Sequence, residues 1–151
     1  MGKEVCIISA YAYIVEHVNY GSLLQYYALE KELKLLGYNP YWLRFVLPSE
    51  EESVQRKLKN VIKYIINHEG ERDRHNTLKK TMRFVSEYLN VSDCIYDEKR
   101  LDMDPPKAEA YITGSDQVWG GTLKPNYLTF VPDGKLKISY AASFGKSDIS
   151  E

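Results

Sequence analysis

At 151 residues, with 44% hydrophobic and 27% charged side chains, the chain has the size of one ordinary domain, able to bury a core without disulfides or metal. Lys and Arg total 20 against 21 Asp and Glu, so the net charge of −1 supplies no field for nucleic acid or an anionic membrane, and neither is expected as a partner. No run approaches the roughly 20 apolar residues of a transmembrane segment, and the stretch Val5 to Ile8 is too short for a signal-peptide core. With Cys6 and Cys94 far apart and without metal-ligand spacing, reduced thiols, no metal, no cofactor and a cytoplasmic location are expected.

Val5 to Ser9 is continuously apolar and partly β-branched, the pattern of a strand buried on both faces. The next helix has readable limits. Ser22 and Gln25 have the spacing of a capping box, Leu29, Leu33 and Leu36 form a stripe, and Gly37 stands where a left-handed C-terminal residue belongs. A second strand, about Tyr41 to Val46, follows closely enough for a parallel β-α-β unit.

Pro48 and Ser49 open another predicted helix, with Ser49 and Glu52 as a second capping box, Val54, Leu58, Val61, Ile62, Ile65 and Ile66 on one face, and Gly70 at its end. Glu71 to Leu89 reads as a third helix carried by Leu78, Met82, Val85 and Leu89, paired antiparallel with the one before. Residues 92 to 108 lack periodicity and end in Pro105-Pro106, which marks a connection. Ala110 to Thr113 restarts the sheet.

Pro132-Asp133-Gly134 is a turn, since proline fixes φ and glycine accepts its positive values. Two arrangements follow from it. Tyr127 to Val131 forms a hairpin with Lys137 to Ala142, or Lys137 to Ala142 joins the parallel sheet and Tyr127 to Val131 is an approach loop; the second is preferred. The expected architecture is α/β, a Rossmann-like three-layer domain with a mostly parallel sheet, in one domain over 1–151.

In such sheets ligands meet the carboxyl ends of the strands. Three segments there carry polar or small residues. The first connection, with Tyr11, Tyr13, Glu16, His17, Asn19, Tyr20 and Gly21, is about twice the usual length, and it feeds a helix N-terminus whose unpaired N–H groups could hold an anion while Gly21 lets it approach. The plainer alternative is that Asn19 and Ser22 only cap the helix. Gly114-Ser115-Asp116-Gln117 follows a buried strand and places a hydroxyl, a carboxylate and an amide in one turn, with Asp116 in position for a general base; alternatively Ser115 or Asp116 caps a short turn and Trp119 is core. Ser143-Phe144-Gly145 closes the third side, with the Ser143 hydroxyl and backbone access at Gly145. His68 and His75 sit in charged helical surroundings, and no Gly-x-Ser-x-Gly elbow or Gly-Lys-Ser/Thr loop is present.

Three motifs, Asn19-Tyr20-Gly21-Ser22-x-x-Gln25-x-x-Ala28-Leu29, Gly114-Ser115-Asp116-Gln117-Val118-Trp119 and Ser139-Tyr140-Ala141-Ala142-Ser143-Phe144-Gly145, in this order across almost the whole chain, resemble the polysaccharide pyruvyl transferase family. The resemblance implies one half of a two-domain glycosyltransferase-like fold with facing Rossmann-like halves. It also implies transfer of pyruvate from phosphoenolpyruvate to saccharide hydroxyls as a ketal, in cell-surface polysaccharide biosynthesis. On that basis Asp116 is the candidate acceptor-hydroxyl base, and Asn19, Ser22, Ser115, Gln117 and Ser143 are hydrogen-bonding groups, with Gly21 and Gly145 as points of backbone approach. Family members are typically more than twice as long. Lys and Arg lie mainly in the helices, Lys146 being the nearest exception, so no phosphoenolpyruvate clamp is visible. The expectation is therefore an N-terminal half that lacks the donor-binding part and is inactive alone. A different class stays open, a non-catalytic module that forms a homo-oligomer through an uncovered sheet face; a flavodoxin-like nucleotide binder is a third.

Overall fold

A computed structural model describes residues 2–9, 20–45, 70–120 and 123–145, with backbone alone at 70–78, 115 and 116. The elements are β1 (Glu4–Ile8), α1 (Tyr20–Leu35), β2 (Asn39–Phe45), α2 (Gly70–Tyr88), β3 (Val91–Tyr96), α3 (Glu98–Met103), β4 (Ala110–Asp116), a 3-10 turn at Lys124–Tyr127, and β5 (Leu136–Ala142). All five strands are parallel, in the order β3-β2-β1-β4-β5. Strand order therefore reverses between β1 and β4. The fold is α/β and Rossmann-like, in three layers.

The layers follow from side-chain alternation along β1 and β4. Val5, Ile7, Ala110 and Ile112 face a core completed by Tyr26 of α1, Val85 of α2, Leu89 and Trp42. On the opposite face Cys6, Ile8 and Tyr111 pack with Leu43, Phe45, Leu101 of α3, and Leu128, Phe130 and Val131 from the segment before β5. Strand β1 is thus enclosed on both faces, as its unbroken apolar run requires.

The end of α1 is as expected. Gly37 adopts φ +88°, Tyr38 N donates to Leu33 O (3.0 Å) and Gly37 N to Lys34 O (3.0 Å), the paired bonds of a Schellman cap. Its start differs: the helix is described from Tyr20 onward, so Ser22 lies inside it rather than at its N-cap. The buried line is Ser22, Tyr26 and Glu30, flanked by partly buried Leu23, Tyr27, Leu29 and Leu33, while Leu36 is exposed. Burial of a carboxylate is tolerated here because it is paired. Glu30 accepts the backbone N–H of Asn90 (3.1 Å) and bonds to Lys34 one turn on. Tyr26 donates to Asn90 O (3.2 Å), and the Asn90 amide donates to Pro40 O (2.9 Å), tying α1 to the α2–β3 turn and to β2.

Two further boundaries differ. β2 starts at Asn39 and takes in Pro40, which is paired opposite Val5. Residues expected to be a connection instead form β3 and α3; Asp97 caps α3 by accepting the Arg100 N–H (2.6 Å). Gly70 is helical within α2, and the residues before it lie outside the described ones. The helix expected after Pro48, and with it the antiparallel helix pair, lies outside the described residues. Of the two arrangements near the C-terminus the parallel one is present: Pro132 O accepts the Lys135 N–H (3.4 Å) in the turn, and β5 runs parallel to β4. No helix among the described residues is long and apolar enough to cross a membrane.

Burial pushes the Cys6 thiol from its ordinary 9.0 up to about 12, offset only in part by a hydrogen bond with Tyr41. Burial likewise raises Tyr26, with the Glu30 charge adding to the effect, and Tyr41. Because the unfolded chain releases the Cys6 proton at lower pH than the folded one, the stability this thiol contributes is complete below pH 9.0 and is lost as pH rises towards about 12. Urea denaturation should show about 1 kcal/mol lost between roughly pH 8 and pH 10 from Cys6 alone, and Cys6→Ala should flatten that slope; a stability independent of pH over this interval would show that the thiol is not sealed in the core.

Candidate functional site

The reversal of strand order sets the site. Where the chain turns back on its own order, the connections leaving neighbouring strands diverge, and their carboxyl ends frame a crevice. Ile8 of β1 is opposite Thr113 of β4, so buried Ser9 and Gly114 are level at that edge. One strand further, Gly114 pairs with Tyr140 and Asp116 with Ala142. The ends of β1, β4 and β5 are therefore side by side, and the second and third sequence motifs lie on adjacent strand ends.

Backbone conformation at these ends is unusual. Gly114 has φ +121°, and a Cβ there would stand 1.9 Å from the Tyr140 carbonyl oxygen. Its partner strand carries Ala141 at φ +46°, a left-handed conformation that costs a residue with a Cβ about 1–2 kcal/mol. Gly145 follows at φ +66°. Such strain within one pair of strand ends persists only when the surroundings enforce it.

Beyond β4 the chain is fastened to the end of β5. Trp119 N donates to Ser143 O (3.1 Å), Gly120 N donates to Gln117 O (3.1 Å), and buried Asn126 donates to Val118 O (2.8 Å). The Ser143 hydroxyl accepts the Gly145 N–H (3.2 Å). The exposed Gln117 side chain lies over Gly145, whose Cβ, if it had one, would be 2.5 Å from the carboxamide carbon.

Asp116 is the last residue of β4, with Ser115 before it; their backbones are at the crevice and Ser143 follows Asp116's partner Ala142. Gly21 is exposed in the first turn of α1, whereas Ser22 is buried on the sheet-facing side of the helix. Asn19, with Tyr11, Tyr13, Glu16, His17 and Lys146, lies outside the described residues, as does His68; of His75 only the helical backbone is described.

Two features escaped the sequence. Trp119 and Phe144 form a ring pair, centroids 5.4 Å apart, and belong to neither core cluster. Thr113 is buried with a hydroxyl that has no partner among the described residues. The aromatic positions were visible but carried no spacing signal; an orphaned hydroxyl has no signature in sequence. No family model, curated protein or solved structure matches the chain.

Gly114→Ala should lower stability by more than about 3 kcal/mol, since both space and φ forbid a side chain, whereas Ala141→Gly should raise it by roughly 1 kcal/mol by relieving left-handed strain. Chemical denaturation of the two variants checks this, and an unaltered Gly114→Ala midpoint would mean that β4 and β5 do not approach as described.

Proposed function

We propose that this chain is a polysaccharide pyruvyl transferase-like domain whose crevice between β1 and β4 binds a saccharide and presents its acceptor hydroxyls to phosphoenolpyruvate. The observation that supports this reading most is the strand order. It brings the Gly114–Trp119 motif beside the end of β1 on one side and beside the Ser139–Gly145 motif on the other. Two motifs separate in sequence thereby share one edge, as a single binding site requires.

The chemistry asks for specific groups. Protonation of the enol methylene makes a methyl group and leaves positive charge on the adjacent carbon, to which a first sugar hydroxyl oxygen bonds as it loses its proton. Departure of phosphate regenerates that charge, and a second hydroxyl adds with loss of its own proton, closing the ketal. In this reading Asp116 accepts or orients an acceptor-hydroxyl proton. Ser115, Gln117 and Ser143 hold neighbouring hydroxyls, Asn19 and Ser22 act at the α1 side, and Gly21 and Gly145 leave backbone exposed to the ligand. Groups that bind phosphoenolpyruvate are assigned to a part outside this chain. A cytoplasmic location belongs to the same proposal and agrees with two unbridged cysteines.

Saturation-transfer NMR with hexose oligosaccharides tests the acceptor role. Binding is expected, and Asp116→Asn should weaken it about tenfold, the loss of one charge-assisted hydrogen bond, without altering the thermal midpoint. Absence of saccharide binding, or full binding by Asp116→Asn, would refute the assignment.

A further inference from the structure

Neither Trp119 nor Phe144 is used by the reading above, and neither is core. Phe144 is 37% exposed and Trp119 half-buried, with ring planes at 48°. Both are nevertheless held. The Trp119 N–H donates to Ser143 O, the Tyr127 hydroxyl donates to Trp119 O (3.4 Å), and Gly120 is so close to the Phe144 carbonyl that a Cβ there would meet it at 2.9 Å. Two large rings at the surface, resting on each other and carried on hydrogen-bonded backbone, leave less to order when a ligand arrives, which lowers the cost of binding.

We propose that Trp119 and Phe144 form a stacking platform for a pyranose ring, with Gln117 and Ser143 bonding to its ring hydroxyls. A saccharide matches this surface in two ways. A pyranose has an apolar face of C–H groups and a rim of neutral hydroxyls; the platform offers aromatic faces, and beside them an amide and a hydroxyl, all uncharged. The Ser143 oxygen accepts the Gly145 N–H, which leaves its own hydrogen to donate outward. Gly145, by lacking a side chain, gives the Gln117 carboxamide its place. The platform rests on the acceptor-binding reading and identifies the part of the acceptor that is gripped: a sugar ring lying next to the hydroxyls that Asp116 addresses.

The chain has two tryptophans, and Trp42 is buried at 4% exposure, so acrylamide quenching of intrinsic fluorescence reports mainly on Trp119. Cello-, galacto- and manno-oligosaccharides, with ATP and FMN as comparison ligands, are titrated against the quenchable signal. At least one saccharide should shield Trp119 saturably, and Phe144→Leu, which fills the volume without a π face, should weaken shielding about tenfold. Trp119→Phe should abolish the quenchable signal yet retain calorimetric binding. Shielding by ATP or FMN alone, or by no ligand, overturns the platform, as does wild-type affinity in a folded Phe144→Leu. Saccharide binding that is lost in Asp116→Asn but unchanged in Phe144→Leu leaves the acceptor reading standing and removes only the platform; shielding that is intact in Asp116→Asn supports the platform and removes Asp116 from the site.

Discussion

The parallel pairing of β1 with β4 is the contact on which both the core and the site depend. β1 is the middle strand of five, bonded to β2 on one side and β4 on the other, and its residues Cys6 and Ile7 are completely buried. From β1 the chain builds outward through β2 to β3, then crosses back to lay β4 against the free side of β1. That return makes the two directions of growth meet at one place. The carboxyl ends of β1 and β4 therefore lie where strand order reverses, the place at which open α/β sheets receive their ligands, as a consequence of topology rather than of any single side chain.

The fold has a rigid part, at the amino end of β3, and a strained part, at the carboxyl ends of β4 and β5. On the α1 side, Glu30, Tyr26 and Asn90 form a buried polar network with its groups paired to backbone, which holds the helix at one rotation against the sheet. A buried polar contact of this kind specifies an arrangement more than it adds stability. At the ends of β4 and β5 the backbone instead stores strain, at Ala141, and depends on the absence of side chains, at Gly114 and Gly145. The consequence is a close approach of the two strands just where Asp116 ends one and Ser143 follows the other. Functional sites commonly concentrate such conformations, and here they coincide with the residues assigned to acceptor binding.

Much of the architecture was legible because apolar runs and caps are local signals. Val5 to Ile8 has no interpretation other than a buried strand, and Gly37 and the Pro132-Asp133-Gly134 turn act through their own φ values. β3 was not legible: Ser92, Asp93 and Cys94 interrupt it, as an edge strand with one side in water permits. Ser92 nevertheless earns its buried place by accepting the Arg44 N–H (3.0 Å) and donating to Cys94 O (2.7 Å). Leu29 and Leu33 of the α1 stripe do pack against the core, but the burial of Glu30 beside them depends on its distant partner Asn90, which no hydropathy scale carries. For the site, sequence order pointed to three strand ends, but which strands are neighbours is settled only by tertiary pairing. The Trp119–Phe144 pair depends on that adjacency and could not be foreseen from either motif.

Backbone NOEs across the centre of the sheet test the account most directly. Isotope-edited spectra should connect Ile7 with Ile112 and Ile8 with Thr113 in parallel register, and Gly114 with Tyr140 on the next strand. If β1 were found beside β5, or antiparallel to β4, the ends of β4 and β5 that lead to Asp116 and Ser143 would no longer lie beside the end of β1, and the proposed binding site would be lost.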